Sequence, residues 1–310
     1  MTDAALAELA KLQHMRRLTM FKTNIGAAGV AHLVKAPKLA DLDIAGTPGG
    51  DEALQALVAA PALSSISYGD APALTVKGWT ALGAMPKLRS LNIATGKAEI
   101  GAEIEALGAS KTLDRLSMMS ANLGDAGGVK LGAIKTLRAL FIWSTAVGDP
   151  TMAAIATLPS LGTLYVDKTK VTDAGMTALA AGKALETLWA NETAITGAGF
   201  AAFADHPKLR WLRVNGTKVD DKGLAAIAKI KTLATLSLEK TLVTDAGLAA
   251  LAGHAALGTL DLAETGIGDA GLEHLATIAS LTRLSLGKTR VTDAGIAKLK
   301  AALPKLTVSK

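Results

Sequence analysis

The chain contains no cysteine. That excludes disulfides, a thiol nucleophile and cysteine-ligated zinc. It leaves the redox compartment open, although extracellular repeat proteins often carry disulfide caps and this chain cannot. Aromatic residues are scarce, with four Trp, two Tyr and four Phe in 310 residues, so their positions carry information. Half of the residues are hydrophobic, yet no run reaches the roughly 18 apolar residues of a membrane span. No composition break, Ser/Pro-rich linker or low-complexity tract divides the chain. The start, Met1-Thr2-Asp3-Ala4-Ala5-Leu6, is polar and does not read as a secretory signal.

What the chain does contain is a repeat. The segment Leu161-Gly162-Thr163-Leu164-Tyr165-Val166-Asp167-Lys168-Thr169-Lys170-Val171-Thr172-Asp173-Ala174-Gly175-Met176 returns in the same frame at Leu185, Leu209, Leu233, Leu257 and Leu281, each 24 residues on. Self-similarity at this period means stacked coils, each too small to bury its own apolar face. Positions 1, 4 and 6 of the frame are apolar, and the alternation at 4 and 6 predicts a short strand with one buried side. Position 9 is usually threonine, from Thr145 to Thr289; a small hydroxyl at a turn is expected to bond backbone groups of adjacent coils. Position 11 is Val or Ile. The following Thr-Asp-Ala-Gly reads as a helix start with a Thr or Asp cap, and Pro150 sits where a first helical turn accepts proline. Positions 16 and 19, such as Met176 and Leu179, turn the helix inward. Glycine at position 15 lets neighbouring helices approach closely.

Strand frames begin at Met15, Leu39, Leu63, Leu88, Leu113, Leu137, Leu161, Leu185, Leu209, Leu233, Leu257 and Leu281, and Leu306-Thr307-Val308 offers one more strand. A single domain over 1–310 is expected, with a half repeat at 1–14, repeats over 15–305 and a strand stub at 306–310. The frames at Leu63 and Leu88 are one residue longer, and Gly69-Asp70-Ala71-Pro72-Ala73 replaces the threonine step; a tolerated insertion with an altered loop is favoured over a binding loop. Terminal coils need polar caps. Either the end halves are minimal caps, or the chain packs end to end or belongs to a larger parent chain.

The pattern Leu-x-x-Leu-x-Leu-x-x-Thr-x-Val-Thr-Asp-Ala-Gly-Leu resembles the leucine-rich repeat family over nearly the whole chain. It is closest to the cysteine-containing, RNI-like subtype of a bacterial type, with threonine in place of the ladder cysteine. The resemblance implies an α/β fold: a leucine-rich-repeat solenoid, a curved horseshoe of about twelve repeats, with a parallel β-sheet on the concave face and short helices on the convex face. It also implies protein recognition by the concave sheet. No F-box-like segment accompanies it.

Position 5, mid-strand and outward, reads Thr19, Asp43, Ser67, Asn92, Ser117, Phe141, Tyr165, Trp189, Arg213, Ser237, Asp261, Ser285. Small polar residues flank a run of large side chains in repeats 6–9. Positions 7 and 3 add Met119, Trp143 and Trp211, and Phe21 lies on the same face. Phe141, Tyr165 and Trp189 are expected to form a contiguous ladder at strand spacing. A sheet face left to solvent has no folding need for such rings, and exposed Trp, Tyr and Arg are the commonest anchors of binding. Arg115, Arg138, Arg210, Asp167, Lys168, Asn191 and Glu192 form the rim. The bland alternative is that the rings only stack on one another and shield the sheet.

The net charge is +6. On the expected concave face, positive and negative residues nearly balance, so the excess falls on loop lysines such as Lys38, Lys87 and Lys208, read as solubility features. That argues against nucleic acid, whose binders concentrate basic charge, and no membrane partner is expected. None of the five histidines has a partner at metal spacing; His14, His32, His206, His254 and His274 read as surface or helix-end residues. Asp41 and Asp43, with Asp70, form a solvated acidic edge rather than a cation site. No nucleophile–base pair, metal site or cofactor is expected. The leading reading is therefore a non-enzymatic, soluble scaffold for a protein or peptide partner, with Arg115, Met119, Arg138, Phe141, Trp143, Tyr165, Asp167, Trp189, Asn191, Trp211 and Arg213 as contact residues. A carbohydrate or small ligand on the same rings is the alternative. Regulation of an enzyme such as a GTPase, through Arg213 or Arg138, rests on fold analogy alone. The Ala-rich composition suggests a cytoplasmic protein, with a secreted effector left open.

Overall fold

Each frame forms one strand, one turn and one short helix. The computed structural model describes residues 2–69, 74–94 and 100–310, within two compact units, Met1–Leu161 and Gly162–Lys310. The first holds β1 (Arg17–Thr19), β2 (Asp41–Asp43), β3 (Ser65–Gly69), β4 (Ser90–Ala94), β5 (Arg115–Ser117) and β6 (Ala139–Phe141). The second holds β7 (Thr163–Tyr165), β8 (Thr187–Trp189), β9 (Trp211–Arg213), β10 (Thr235–Ser237), β11 (Thr259–Asp261), β12 (Arg283–Ser285) and β13 (Thr307–Ser309). Within each unit every strand pairs in parallel with the next in the chain. The segment after Leu306 carries β13, and a helix spans Asp3–Leu9. The replacement loop 70–73 lies outside the described residues; β3 and β4, which precede the longer turns, are five residues each. No helix among the described residues is long and apolar enough to cross a membrane.

The inward set is the expected one. Leu164, Val166, Val171, Met176 and Leu179 are buried, as are their counterparts Leu212, Val214, Val219, Leu224 and Ile227. Pro150 lies in the first turn of helix Asp149–Ile155. The frame threonines differ from expectation in one respect. Each donates to the position-6 carbonyl of its own coil, as Thr169 does to Val166 (2.6 Å) and Thr217 to Val214 (2.6 Å), not to the adjacent coil. The reason is the turn between them. Position 8 is left-handed whatever the residue, with φ from 53° to 57° at Lys22, Ser120, Ser144, Lys168, Glu192, Lys240, Glu264 and Lys288. This folds the chain back so that the hydroxyl meets the carbonyl three residues earlier.

Contacts between coils come from the Thr-Asp-Ala-Gly segments. Asp173 opens helix Asp173–Leu179, but its carboxylate reaches into the next coil. Oδ2 accepts from Thr196 N–H (3.0 Å) and Oγ1 (2.6 Å), and Oδ1 from the Gly197 (3.1 Å) and Gly199 (3.0 Å) amides. Asp221 to Thr244, Asp245 to Gly268 and Asp269 to Thr292 repeat the pattern in the second unit, and Asp51 to Thr75 and Asp125 to Gly148 in the first. These helix starts are thus held by the preceding coil as well as by caps of their own, such as Thr172, Asp220 and Thr292. Burial pushes the Asp173 carboxyl up, but its four hydrogen bonds outweigh that and hold it below the usual aspartate value. The position-15 glycines follow from the same contact. A methyl on Gly247, Gly271 or Gly295 would land on the capping carboxylate, and one on Gly223 on the Thr196 carbonyl. Gly223→Ala should lower unfolding stability by about 1–3 kcal/mol, since the overlap is with backbone that cannot yield cheaply; denaturant melts of the whole chain measure it.

Two histidines are core residues, which frame position alone does not reveal. His206 and His254 close their helices but are buried. Each Nε2 meets a carbonyl of the preceding coil, Gly182 and Ile230, both at 3.1 Å. The His206 Nδ1 also accepts from Leu209 N–H (3.1 Å). Burial holds both rings below the ordinary histidine value of 6.5. On acidification the unfolded chain takes up these protons first, so their contribution is complete above about pH 6.5 and is lost as pH falls through the lower folded values. Thermal melts should show stability dropping between about pH 7 and 5, and His206→Gln/His254→Gln should flatten that drop. A second loss, below the ordinary aspartate range, belongs to the caps and should survive in the double variant.

Candidate functional site

Parallel register sets identical positions of successive coils side by side, so outward side chains form rows. In the second unit the position-5 row runs Tyr165, Trp189, Arg213, Ser237, Asp261, Ser285, Ser309. Tyr165 and Trp189 stack face to face, with centroids 3.9 Å apart and planes 3° from parallel. The Arg213 guanidinium lies 4.4 Å from the centroid of the Trp189 ring, a cation–π contact. Both rings are half-buried. Trp211, one row over, is 42% exposed. Beyond Arg213 the row turns small, and Arg213, Thr235, Ser237, Thr259, Asp261 and Arg283 border a shallow cavity of about 270 Å³. Ser237 Oγ donates to Asp261 across its floor (3.2 Å). A platform of rigid rings thus adjoins a small cavity of hydroxyls with two guanidinium groups and one carboxylate.

Asp167 and Asn191, expected as rim contacts, are engaged in stacking the coils. Asp167 Oδ1 accepts from the Asn191 backbone N–H (2.9 Å) and side-chain amide (2.5 Å). Asn191 Oδ1 accepts from Asn215 N–H (2.8 Å), and Asn215 Oδ1 from Glu239 N–H (3.1 Å). This side-chain ladder runs beside the ring stack. Burial raises the Asp167 carboxyl above its usual value, and the hydrogen bonds from Asn191 and the charge of Arg213 only partly offset it. Asp167→Asn keeps the accepting oxygen and removes the buried charge, so it should leave stability unchanged or raise it. Asp167→Ala strands two amide donors of Asn191 and should cost about 1–3 kcal/mol; equilibrium unfolding of the two variants separates the effects.

In the first unit, the Arg115 guanidinium sits 4.5 Å from the Phe141 ring centroid. Phe141 is only 8% exposed, so it is a covered ring rather than the open anchor expected from its row. Trp143 is 38% exposed and Met119 half-buried. Arg138 lies at the edge where the strands begin, among Lys87, Lys111 and Asp114, rather than among the rings. Of the expected ladder, the Tyr165–Trp189 step is the one inside a single unit.

Little here resembles acid–base machinery. The Tyr68 hydroxyl is buried, and burial and then the charge of Asp51 push it up to about 12, so it stays protonated at neutral pH. Among the described residues no group of three or more His, Asp or Glu side chains is arranged to hold a metal ion. Asp41 pairs with Arg17 (3.4 Å), Asp43 accepts from Ala45 N–H (3.0 Å), and Asp70 lies outside the described residues.

A sequence profile described as Leucine Rich repeat matches residues 257–276. No curated protein sequence matches the chain. Among solved structures the chain is similar to an internalin from Listeria monocytogenes, with 17% identity and a TM-score of 0.71 over 99% of this chain and 93% of that one. It is also similar to the structure of PEPR1-AtPEP1, with 16% identity and a TM-score of 0.57 over 98% of this chain and 46% of that one. The chain thus spans about half the length of that second neighbour. At these identities the likeness shows the fold, and no catalytic family is indicated by the matches.

Proposed function

We propose that this chain, a leucine-rich-repeat protein, is a non-enzymatic recognition scaffold that binds a protein or peptide on the open face of its second unit. The anchors are Tyr165, Trp189, Trp211 and Arg213. The observation that carries this reading is the parallel Tyr165–Trp189 stack with Arg213 against it. Stacked in register, the rings have little conformational freedom left to lose on binding, and they present a row of ring edges with a cation at one end. The adjoining 270 Å³ cavity gives polar side chains of a ligand a place to hydrogen-bond, so one segment could lay an apolar residue on the rings and a polar one beyond Arg213. That one of the similar structures holds PEPR1 together with AtPEP1 is consistent with this use of the fold.

A random-peptide display selection against the whole chain tests it. Wild type should enrich a peptide family, and Tyr165→Ala/Trp189→Ala/Trp211→Ala should weaken the enriched peptides at least about tenfold, as expected when hot-spot rings are removed, while circular dichroism shows it folded. Peptides that bind the triple variant equally well would sink the assignment. Saturable quenching of Trp fluorescence by soluble glycans, with no peptide enriched, would move the carbohydrate reading ahead, because the exposed Trp211 ring near hydroxyls and a carboxylate also suits a sugar.

A further inference from the structure

Along the edge where strands begin, the first unit gathers positive charge that the sequence presents as scattered loop lysines. Between β3 and β6 this edge encloses a cavity of about 530 Å³ bordered by Lys87, Arg89, Lys111, Asp114 and Arg138. The one carboxylate is neutralised, since Asp114 accepts from Arg89 Nε at 2.9 Å. The charged heads of Lys87, Lys111 and Arg138 make no hydrogen bond or ion pair among the described residues. Lysines at the frame position of Lys111 are occupied in other coils: Lys183 donates to the Ala180 carbonyl (2.9 Å), Lys231 to Ala228 (3.1 Å) and Lys135 to Thr157 Oγ1 (3.1 Å). Lys111 holds the same frame position as these three, but its ammonium borders the cavity without such a partner.

We propose that this cavity is a binding site for a compact multivalent oxyanion, a small ligand carrying phosphate or clustered carboxylate groups. Its volume falls in the range of small-ligand sites, about 300–1,000 Å³. Three unpaired cations around a neutralised carboxylate demand a ligand of charge about −2 or more for complementarity. Arg138 offers a planar fork that matches phosphate or carboxylate oxygens two at a time, and the lysines offer mobile point charges. Two hydroxyls of the lining are already engaged with backbone carbonyls. Thr112 Oγ1 donates to the Leu88 carbonyl (2.7 Å) and Thr136 Oγ1 to that of Leu113 (2.5 Å), so the cations are the main recognising groups. The site is independent of the ring platform, which lies in the other unit.

Isothermal titration of the whole chain with sodium triphosphate and, separately, with citrate tests the site at low salt and at about 0.15 M. One saturable site, weakened by salt, is expected with at least one of the two anions; the preferred anion tells phosphate from carboxylate chemistry. Lys111→Glu/Arg138→Glu should lose at least about tenfold in affinity, whereas the same charge change in the other unit, Lys208→Glu/Lys231→Glu, should cost no more than about twofold. If the first pair fails to fold, Lys87→Gln/Lys111→Gln keeps the test with a milder change. The proposal is overturned if neither anion binds saturably, or if both charge-reversed pairs lose equally, which is a diffuse ion atmosphere. Single-stranded oligonucleotide that binds far more tightly than triphosphate, and equally to both pairs, would also overturn it in favour of a nucleic-acid track.

Discussion

At most helix starts the aspartate of the coil before adds hydrogen bonds to those the coil makes for itself. That one contact constrains most of what surrounds it. Asp173 holds the amides of Gly197 and Gly199 and both polar groups of Thr196, so the offset between consecutive coils is set to hydrogen-bond precision. The carboxylate then occupies the space a Cβ would need, which leaves glycine as the one residue that fits at Gly247, Gly271 and Gly295. Threonine, aspartate and glycine recur together because the aspartate of one coil and the threonine and glycine of the next form one joint. A repeat protein whose stability is a sum of neighbour interfaces is held at joints of this kind, on top of the apolar contacts of Leu164, Val166 and their counterparts.

The same offset governs the strand side. Coils locked by their helix starts bring position 5 of one strand beside position 5 of the next, and only then can Tyr165 and Trp189 lie parallel at 3.9 Å. Nearby, Asp167, Asn191 and Asn215 carry a second chain of side-chain bonds from coil to coil. These polar groups are therefore spent on stacking, and the face presents rings, Arg213 and the hydroxyls beyond it rather than a free acidic rim. Asp167 is the costly member of the ladder, since burial opposes its charge, whereas asparagine already does the same work one coil on.

Much of this was legible in the chain because a fixed period converts residue type into direction. The strands, the inward leucines, the proline in a first turn and the close-approach glycines all follow from frame position. Three things do not. The destination of a polar side chain depends on the coil offset, so the threonine hydroxyls, expected to cross to the neighbouring coil, stay in their own, while the aspartates cross. The left-handed turn at position 8 is occupied by Lys, Ser and Glu as well as by Gly46 and Gly216, and none of those three residue types announces a positive φ. Exposure within a row depends on what lies across it: Phe141 is covered with Arg115 against its face, and His206 and His254 are buried because the preceding coil presents a carbonyl to each ring.

Position 5 needs no large side chain to make a coil. Ser237, Asp261 and Ser285 occupy it in coils whose strands pair in the same register as those of Tyr165 and Trp189. The large side chains are thus additions to a repeat that folds without them, and they are placed in adjacent coils where register makes them one surface. The row then changes from rings to a guanidinium to hydroxyls within a few strands, so the surface has a direction, with apolar area at one end and hydrogen-bonding groups at the other. A shield over the sheet would need no such gradient. On the proposed reading as a recognition surface, the gradient would distinguish the two orientations of a bound chain.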